Sequence, residues 1–64
     1  MMNESQKLIL RLKNHYGVDL LGLANELSMD PSLLYRKWSG ENEFAAITIF
    51  FIKAFLDEVD NEYN

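Results

Sequence analysis

The segment from Gly17 to Gly40 constrains the fold of this 64-residue chain more than any other part. Apolar residues recur every three or four positions on both sides of Asp30-Pro31, which is the pattern of two amphipathic helices. The Asp30-Pro31 pair is a strong helix start, because aspartate caps free N–H groups and proline fits the first helical turn. Only Ser28 and Met29 separate the two apolar patterns. The segment therefore predicts two short helices joined by a tight turn.

The same signals divide the rest of the chain into helices. The predicted helices run from Asn3 to His15, from an Asp19 cap to about Leu27, from Pro31 to Trp38, and from Glu41 or just after it to about Asp60. No long stretch alternates with the period of two that marks a strand. We predict an all-α fold of four to five short helices in one domain, residues 1–64. Its two-helix motif lies at about 19–39, and its C-terminal helix lies at about 42–60 with an acidic tail.

The predicted pair of helices matches the helix-turn-helix motif. In that motif the first helix crosses the DNA backbone and the second lies in the major groove. Ala24 is expected where the two helices approach closely, and Leu27, Met29 and Leu34 have the spacing to fill the wedge between them. The other face of the third helix then points outward with Ser32, Tyr35, Arg36 and Ser39.

The stretch GVDLLGLANELSMDPSLLYRKWSG resembles, without a gap, the helix-turn-helix of the lambdoid repressor and Cro family. The matching positions are Gly17, Val18, Leu23, Ala24, Leu27, Met29, Ser32, Leu34 and Gly40, and Ile49, Ile52 and Leu56 match apolar positions of that family's next helix. The resemblance implies a lambda-repressor-like fold. It also implies a small phage or phage-like transcriptional regulator, a Cro-like repressor that binds double-stranded operator DNA.

The chain departs from that family pattern at several positions. Ser28 stands at the turn position usually held by glycine, and Pro31 stands where many relatives have a base-reading glutamine. Lys13 and Trp38 occupy the positions of a buried arginine–glutamate pair. Two acidic residues, Glu41 and Glu43, lie where relatives often carry phosphate-contacting lysine or arginine. These departures bear on DNA affinity more than on the fold.

The candidate DNA-binding residues are Lys13, Ser32, Tyr35, Arg36, Lys37 and Ser39. Arg36 is the candidate for base readout, since a guanidinium can bond guanine O6 and N7 together. Lys13 and Lys37 are candidates for phosphate contacts, or are plain solubilising charge. Ser32 either contacts DNA or only occupies the exposed first turn. Tyr35 either contacts DNA or packs on Trp38.

The charge of the chain favours a rival function. Six basic and ten acidic residues give a net charge of −4, whereas DNA-binding domains are usually basic. The acid is concentrated at the C-terminal end: residues 1–40 carry five basic and four acidic residues, and residues 41–64 carry one basic and six acidic. The alternative is a protein-interaction module with a helix-turn-helix fold. Such a module would bind and modulate a basic repressor partner, with little DNA affinity of its own.

The predicted fourth helix is apolar over most of its circumference. Only a narrow sector is polar, and it holds Ala46, Lys53, Asp57 and Asp60. A chain this small cannot cover so much apolar surface, and leftover patches usually mark an interface. We expect Phe51 and Phe55 to face the core. Either Ile47 with Phe50, or Ile49 with Leu56, then meets another chain, with acidic residues that include Glu62 as a rim. A homodimer would place two third helices about 34 Å apart on DNA.

Several other functions are disfavoured by the sequence. The chain has no cysteine and one histidine, His15, without neighbouring donors, so we expect no metal and no cofactor. No catalytic spacing is present, and we expect no enzyme activity. The longest apolar run, 44–56, contains Lys53 and is shorter than the roughly 20 residues that a bilayer requires. With no signal-peptide pattern at residues 1–13, we expect a cytoplasmic protein without membrane contact.

Overall fold

The computed structural model describes the backbone of residues 1–62 and the side chains up to Asn61. This range contains four helices: α1 (Glu4–Tyr16), α2 (Leu20–Glu26), α3 (Pro31–Trp38) and α4 (Ala46–Glu62). The connecting segments hold no strand within the described range, so the predicted all-α fold is confirmed. None of the four helices is long and apolar enough to span a membrane. The end of the predicted acidic tail, from the Glu62 side chain to Asn64, lies outside the described residues.

Local signals set the bounds of α1, α2 and α3 close to where the sequence predicts them. Asn3 and Gln6 form a reciprocal capping box at the start of α1, and Gly17 ends that helix in the left-handed conformation, with φ of 67°. Asp19 accepts a hydrogen bond from Gly22 N at the start of α2. Each cap satisfies N–H or C=O groups that the helix itself leaves free.

The turn between α2 and α3 has the hydrogen bonds of a Schellman motif. Met29 N donates to Ala24 O at 2.9 Å, and Ser28 N donates to Asn25 O at 3.2 Å. Ser28 has φ of 54°, the left-handed conformation that glycine adopts at lower cost. Serine therefore occupies the turn position in the backbone conformation that the usual glycine would take.

The buried core confirms the predicted packing of the two-helix motif. Leu23, Ala24 and Leu34 are fully buried where α2 meets α3. Leu27 and Met29 are partly buried against this cluster, as expected for residues in the wedge. The rest of the buried core comes from α1, α4 and the segment before α4: Leu8, Ile9, Leu12, Phe44 and Leu56.

The predicted start of α4 was wrong by about four residues, because α4 begins at Ala46. Residues 41–45 form an irregular connection instead. Phe44 is buried, and its N–H donates to the buried Ser5 Oγ at 2.9 Å, which fastens the connection to α1. A helix starting near Glu41 would direct the Phe44 N–H to an intrahelical carbonyl and lose that bond.

The predicted rotation of α4 was also wrong. Leu56 is buried at 3% exposure and Ile49 packs against the core, whereas Phe51 and Phe55 lie at the surface. Leu56 and Ile49 therefore belong to the core and do not form the free surface predicted for an interface. The later helix start removes Phe44 from the apolar stripe that pointed Phe51 and Phe55 inward.

The polar sector of α4 lies beside α1. Lys53 Nζ is 3.2 Å from Glu4 Oε1, and Arg11 Nη2 is 3.3 Å from Asp57 Oδ1 and 2.9 Å from Asp60 Oδ2. These pairs occupy one flank of α4, next to the core stripe of Ile49, Ile52 and Leu56. Because the charged residues of α4 face α1, the side of α4 that faces solvent is left apolar.

Candidate nucleic-acid interface

The outward face of α3 presents four of the predicted DNA-binding residues together. Ser32, Tyr35, Arg36 and Ser39 are all exposed, on the side opposite the buried Leu34. Leu33 is also exposed on this helix, although the sequence analysis did not single it out. No carboxylate belongs to α3 itself. This side of the helix is therefore polar and aromatic, and it carries one cation.

Arg36 is the cation of this face and lies in the last turn of α3. Within the described residues its guanidinium makes no hydrogen bond or ion pair, while its backbone carbonyl accepts from Ser39 Oγ at 2.9 Å and from Glu41 N at 3.0 Å. The backbone is thus held at the C-terminal end of α3 and the side chain is left available. This is the arrangement that a base-reading arginine requires.

Ser32 is engaged at the start of α3. Its Oγ and its N both donate to Asp30 Oδ1, at 2.7 Å and 2.8 Å. These bonds favour the ionised carboxylate and hold the pKa of Asp30 below its usual range, with a smaller contribution from Arg36. Ser32 Oγ can accept a hydrogen bond from a ligand, but its own proton is already used. Ser39 Oγ is in the same state, since it donates to the Arg36 carbonyl.

The two candidate lysines flank the C-terminal half of α3. Lys13 Nζ lies 5.2 Å from the centre of the Trp38 ring, which is a cation–π contact. Lys37 Nζ lies 5.4 Å from the centre of the Phe44 ring and donates to Asn42 Oδ1 at 3.3 Å. Lys13 and Trp38 thus contact each other at the two positions where the lambdoid repressor family has its buried arginine–glutamate pair. The contact here is a cation–π interaction and not an ion pair. Trp38 is partly buried and packs against the core.

The charges around the motif are segregated. The carboxylates of Asp19 and Asp30 cap the N-termini of α2 and α3, where phosphates commonly approach a helix. The three cations Lys13, Arg36 and Lys37 gather around the C-terminal half of α3. Both aspartates are the caps that the sequence predicts, and their charge also shapes this surface. The two carboxylates disfavour phosphate at the helix starts, and the three cations favour it at the end of α3, where the exposed Glu41 and Glu43 oppose them.

The predicted interface residues of α4 separate into two groups. Ile47 and Phe50 are exposed, whereas Ile49 is half-buried and Leu56 is buried. Phe51 and Phe55, which were expected inside, join the exposed group. The exposure of Phe51 and Phe55 could have been predicted by pairing the polar sector of α4 with the oppositely charged residues of α1.

Two surface grooves are lined by residues outside α3. One, of about 240 Å³, is lined only by apolar and aromatic side chains: Leu12, Tyr16, Leu27, Phe51, Ile52 and Phe55. The other, of about 300 Å³, contains His15 and the ion-paired Arg11 and Asp60. The His15 ring packs edge-on against Tyr16 and Phe55. Among the described residues no group of three or more acidic or histidine side chains is placed to hold a metal ion.

Comparisons of the chain with protein-family models, with curated proteins and with solved structures find no match. The resemblance to lambdoid repressors therefore stays a prediction based on the residues quoted above. The structure itself defines a small helical domain with a helix-turn-helix and two outward faces of different chemistry.

Proposed function

We propose that the protein is a sequence-specific DNA-binding transcriptional regulator that reads the major groove with α3. The observation that carries this proposal is the exposed Arg36 guanidinium, which makes no hydrogen bond or ion pair among the described residues and lies on the outward face of α3 in its last turn. The close α2–α3 packing at Ala24 supports it, because α3 is held as a rigid element that can enter a groove. Binding at an operator would exclude another repressor or the polymerase.

Each side chain of the α3 face has a distinct role in this proposal. Arg36 bonds guanine O6 and N7, and Tyr35 packs on a thymine methyl group or contacts a phosphate. Ser32 and Ser39 accept hydrogen bonds, since both hydroxyl protons are donated within the protein. Contact is centred on the middle and C-terminal half of α3, because Asp30 keeps phosphates away from its first turn.

The small number of cations limits the affinity for DNA. Lys13, Arg36 and Lys37 are the cations near α3, and each neutralised phosphate contributes about 0.9 to the slope of log K against log salt. One protein chain then gives a slope no steeper than about −2.7. We expect weak non-specific binding and a strong dependence on the contacts of Arg36.

Fluorescence anisotropy on duplexes selected from a random pool tests this proposal, at two salt concentrations. Arg36→Ala should weaken binding to the selected duplex by about 1–3 kcal/mol and reduce its preference over random duplex. Lys37→Ala should weaken binding to both duplexes alike and flatten the salt slope by about one unit.

Lys7→Ala is the matched control for this titration. Lys7 is exposed on α1, on the side of the helix opposite the buried Ser5, Leu8 and Leu12. Its replacement removes the same unit charge from a residue outside α3. Its affinity should stay near that of the wild type. Wild-type affinity in an Arg36→Ala, Lys37→Ala double variant would contradict the assignment of α3 as the reading helix.

A second function is favoured by the carboxylates at the helix starts. Asp19 and Asp30 are exposed, and the lowered pKa of Asp30 keeps that carboxylate charged. Such a surface suits arginine or lysine side chains of a protein partner better than phosphates. A protein-interaction module that modulates a basic repressor is therefore the alternative. Absence of binding to every duplex at low salt would reject the DNA proposal and leave this one.

A further inference from the structure

The solvent side of α4 is an uncharged apolar face. Ile47, Phe50 and Phe51 are 63%, 63% and 64% exposed, and Ala54 lies among them on the same side of the helix. Lys53, Asp57 and Asp60 of α4 pair with α1 on the neighbouring flank, and Glu58 lies one turn beyond Ala54. We call Ile47, Phe50, Phe51 and Ala54 the α4 face.

The α4 face is large for a chain of this size. A fully exposed aromatic side chain presents about 200 Å², so the α4 face with the 40% exposed Phe55 leaves on the order of 450 Å² of apolar area. That is about a tenth of the 4409 Å² surface, the share that one partner of a small specific complex buries. Two such faces together, with their rims, reach the roughly 1,000 Å² at which a specific interface begins.

The geometry points to a second copy of this chain as the occupant, with the two α4 helices packed antiparallel across a twofold axis. Phe50 and Ala54 lie one turn apart on the face, one large and one small. With the twofold axis between these two positions, each Phe50 packs over the Ala54 of the other copy. The large side chain then fills the space above the small one at two symmetric contacts. A parallel pair would place Phe50 on Phe50 and leave a gap between the two alanines.

Charge at the ends of α4 favours the same orientation. Glu58 follows the α4 face toward the C-terminal end, and Asp57 lies beside it. A parallel pair would bring these carboxylates against their own copies. The antiparallel pair instead brings Glu58 to the start of the other α4, where Ala45 offers no capping side chain for the free N–H groups. The inference stands on α4 alone and does not depend on DNA binding.

Sedimentation equilibrium without DNA tests whether a second copy of the chain binds the α4 face. We expect the wild type to shift from monomer to dimer between about 5 µM and about 500 µM, as a small interface predicts. Phe50→Asp should raise the dimer dissociation constant about tenfold or more, with an unchanged helical circular dichroism spectrum. Leu21→Asp is the matched control, because Leu21 is 51% exposed on α2, and it should dimerise as the wild type does.

A folded wild type that stays monomeric through this range would overturn the inference. Equal dissociation constants for Phe50→Asp and Leu21→Asp would overturn the assignment of the α4 face.

The orientation is tested by a spin-label distance at Asn61→Cys, in a chain that has no other cysteine. Asn61 lies nine residues beyond the proposed axis near position 52, so an antiparallel pair separates the two labels by about 27 Å along the helices. A parallel pair would hold them within roughly one helix diameter, about 10–12 Å. The long distance is expected, and the short one would overturn the antiparallel arrangement.

Discussion

The third and fourth helices both turn one side toward solvent, and the two sides differ in chemistry. The outward side of α3 carries hydroxyls, a tyrosine and the exposed Arg36, whereas the α4 face carries Ile47, Phe50 and Phe51. On α3, Leu34 is buried, and the exposed residues are mostly polar, with Leu33 and Tyr35 among them. On α4 the charged residues are used against α1, so the apolar ones remain outside.

The rotation of a helix about its axis therefore depends on the side chains that the neighbouring helix presents to it. α1 presents Glu4 and Arg11 along one flank, and the oppositely charged residues of α4 pair with them. Exposed ion pairs contribute little energy each. Three of them still favour one rotation when the apolar stripes of a helix are nearly equivalent, as they are in α4.

The largest expected effect tests the rotation of α4. Leu56→Ala should lower the free energy of unfolding by about 2–5 kcal/mol, because Leu56 is buried and the truncation leaves a cavity. Phe51→Ala, on the exposed side, should cost less than about 1 kcal/mol. Urea unfolding below the dimerisation range measures both. A larger loss for Phe51→Ala would mean that the stripe of Phe51 and Phe55 faces the core after all.

The next effect compares two alanines, one in each region. Ala24 is fully buried between α2 and α3, so Ala24→Leu should cost about 1–3 kcal/mol through overpacking. Ala54 is exposed on α4, and Ala54→Leu should change the stability of the monomer by no more than about 0.5 kcal/mol. Thermal melts at low concentration provide the measurement. Equal melting temperatures for Ala24→Leu and wild type would reject the close α2–α3 crossing.

A smaller effect concerns the turns that bound α3. Ser28→Gly should stabilise the protein by up to about 1 kcal/mol, since glycine adopts a positive φ at lower cost. Gly40→Ala should destabilise it by a similar amount or more, because Gly40 has φ of 86° and an added Cβ would lie 3.2 Å from Gln6 Nε2. Opposite signs in chemical denaturation are expected. A destabilised Ser28→Gly variant would contradict the strain at Ser28.

The smallest effect concerns the start of α3. Ser32→Ala should raise the pKa of Asp30 toward its usual value of about 3.9, and Ser39→Ala should leave it unchanged, since Ser39 bonds only the Arg36 carbonyl. A lowered folded-state pKa stabilises the protein above about pH 4, and this stabilisation is lost as pH falls through the folded pKa. A carboxyl NMR titration measures the shift. Equal Asp30 pKa values in the two variants would contradict the role of the Ser32 hydroxyl.

The sequence predicts α3 better than it predicts α4. Asp30, Pro31 and Gly40 fix both ends of α3, so its bounds and its outward residues are predicted correctly. The start of α4 carries no such signal, because Ala45 precedes the first turn and the anchor of Phe44 is Ser5, far away in sequence. The contacts of Lys13 and Lys37 with aromatic rings are likewise tertiary and have no local pattern.

The central claim is that α3 reads DNA through Arg36, and selection of duplexes from a random pool tests it most directly. The wild type should enrich a motif that contains a guanine, and Arg36→Ala should lose the preference at that position while Lys7→Ala retains it. Enrichment of no motif by the wild type, or of the same motif by Arg36→Ala, would contradict the claim.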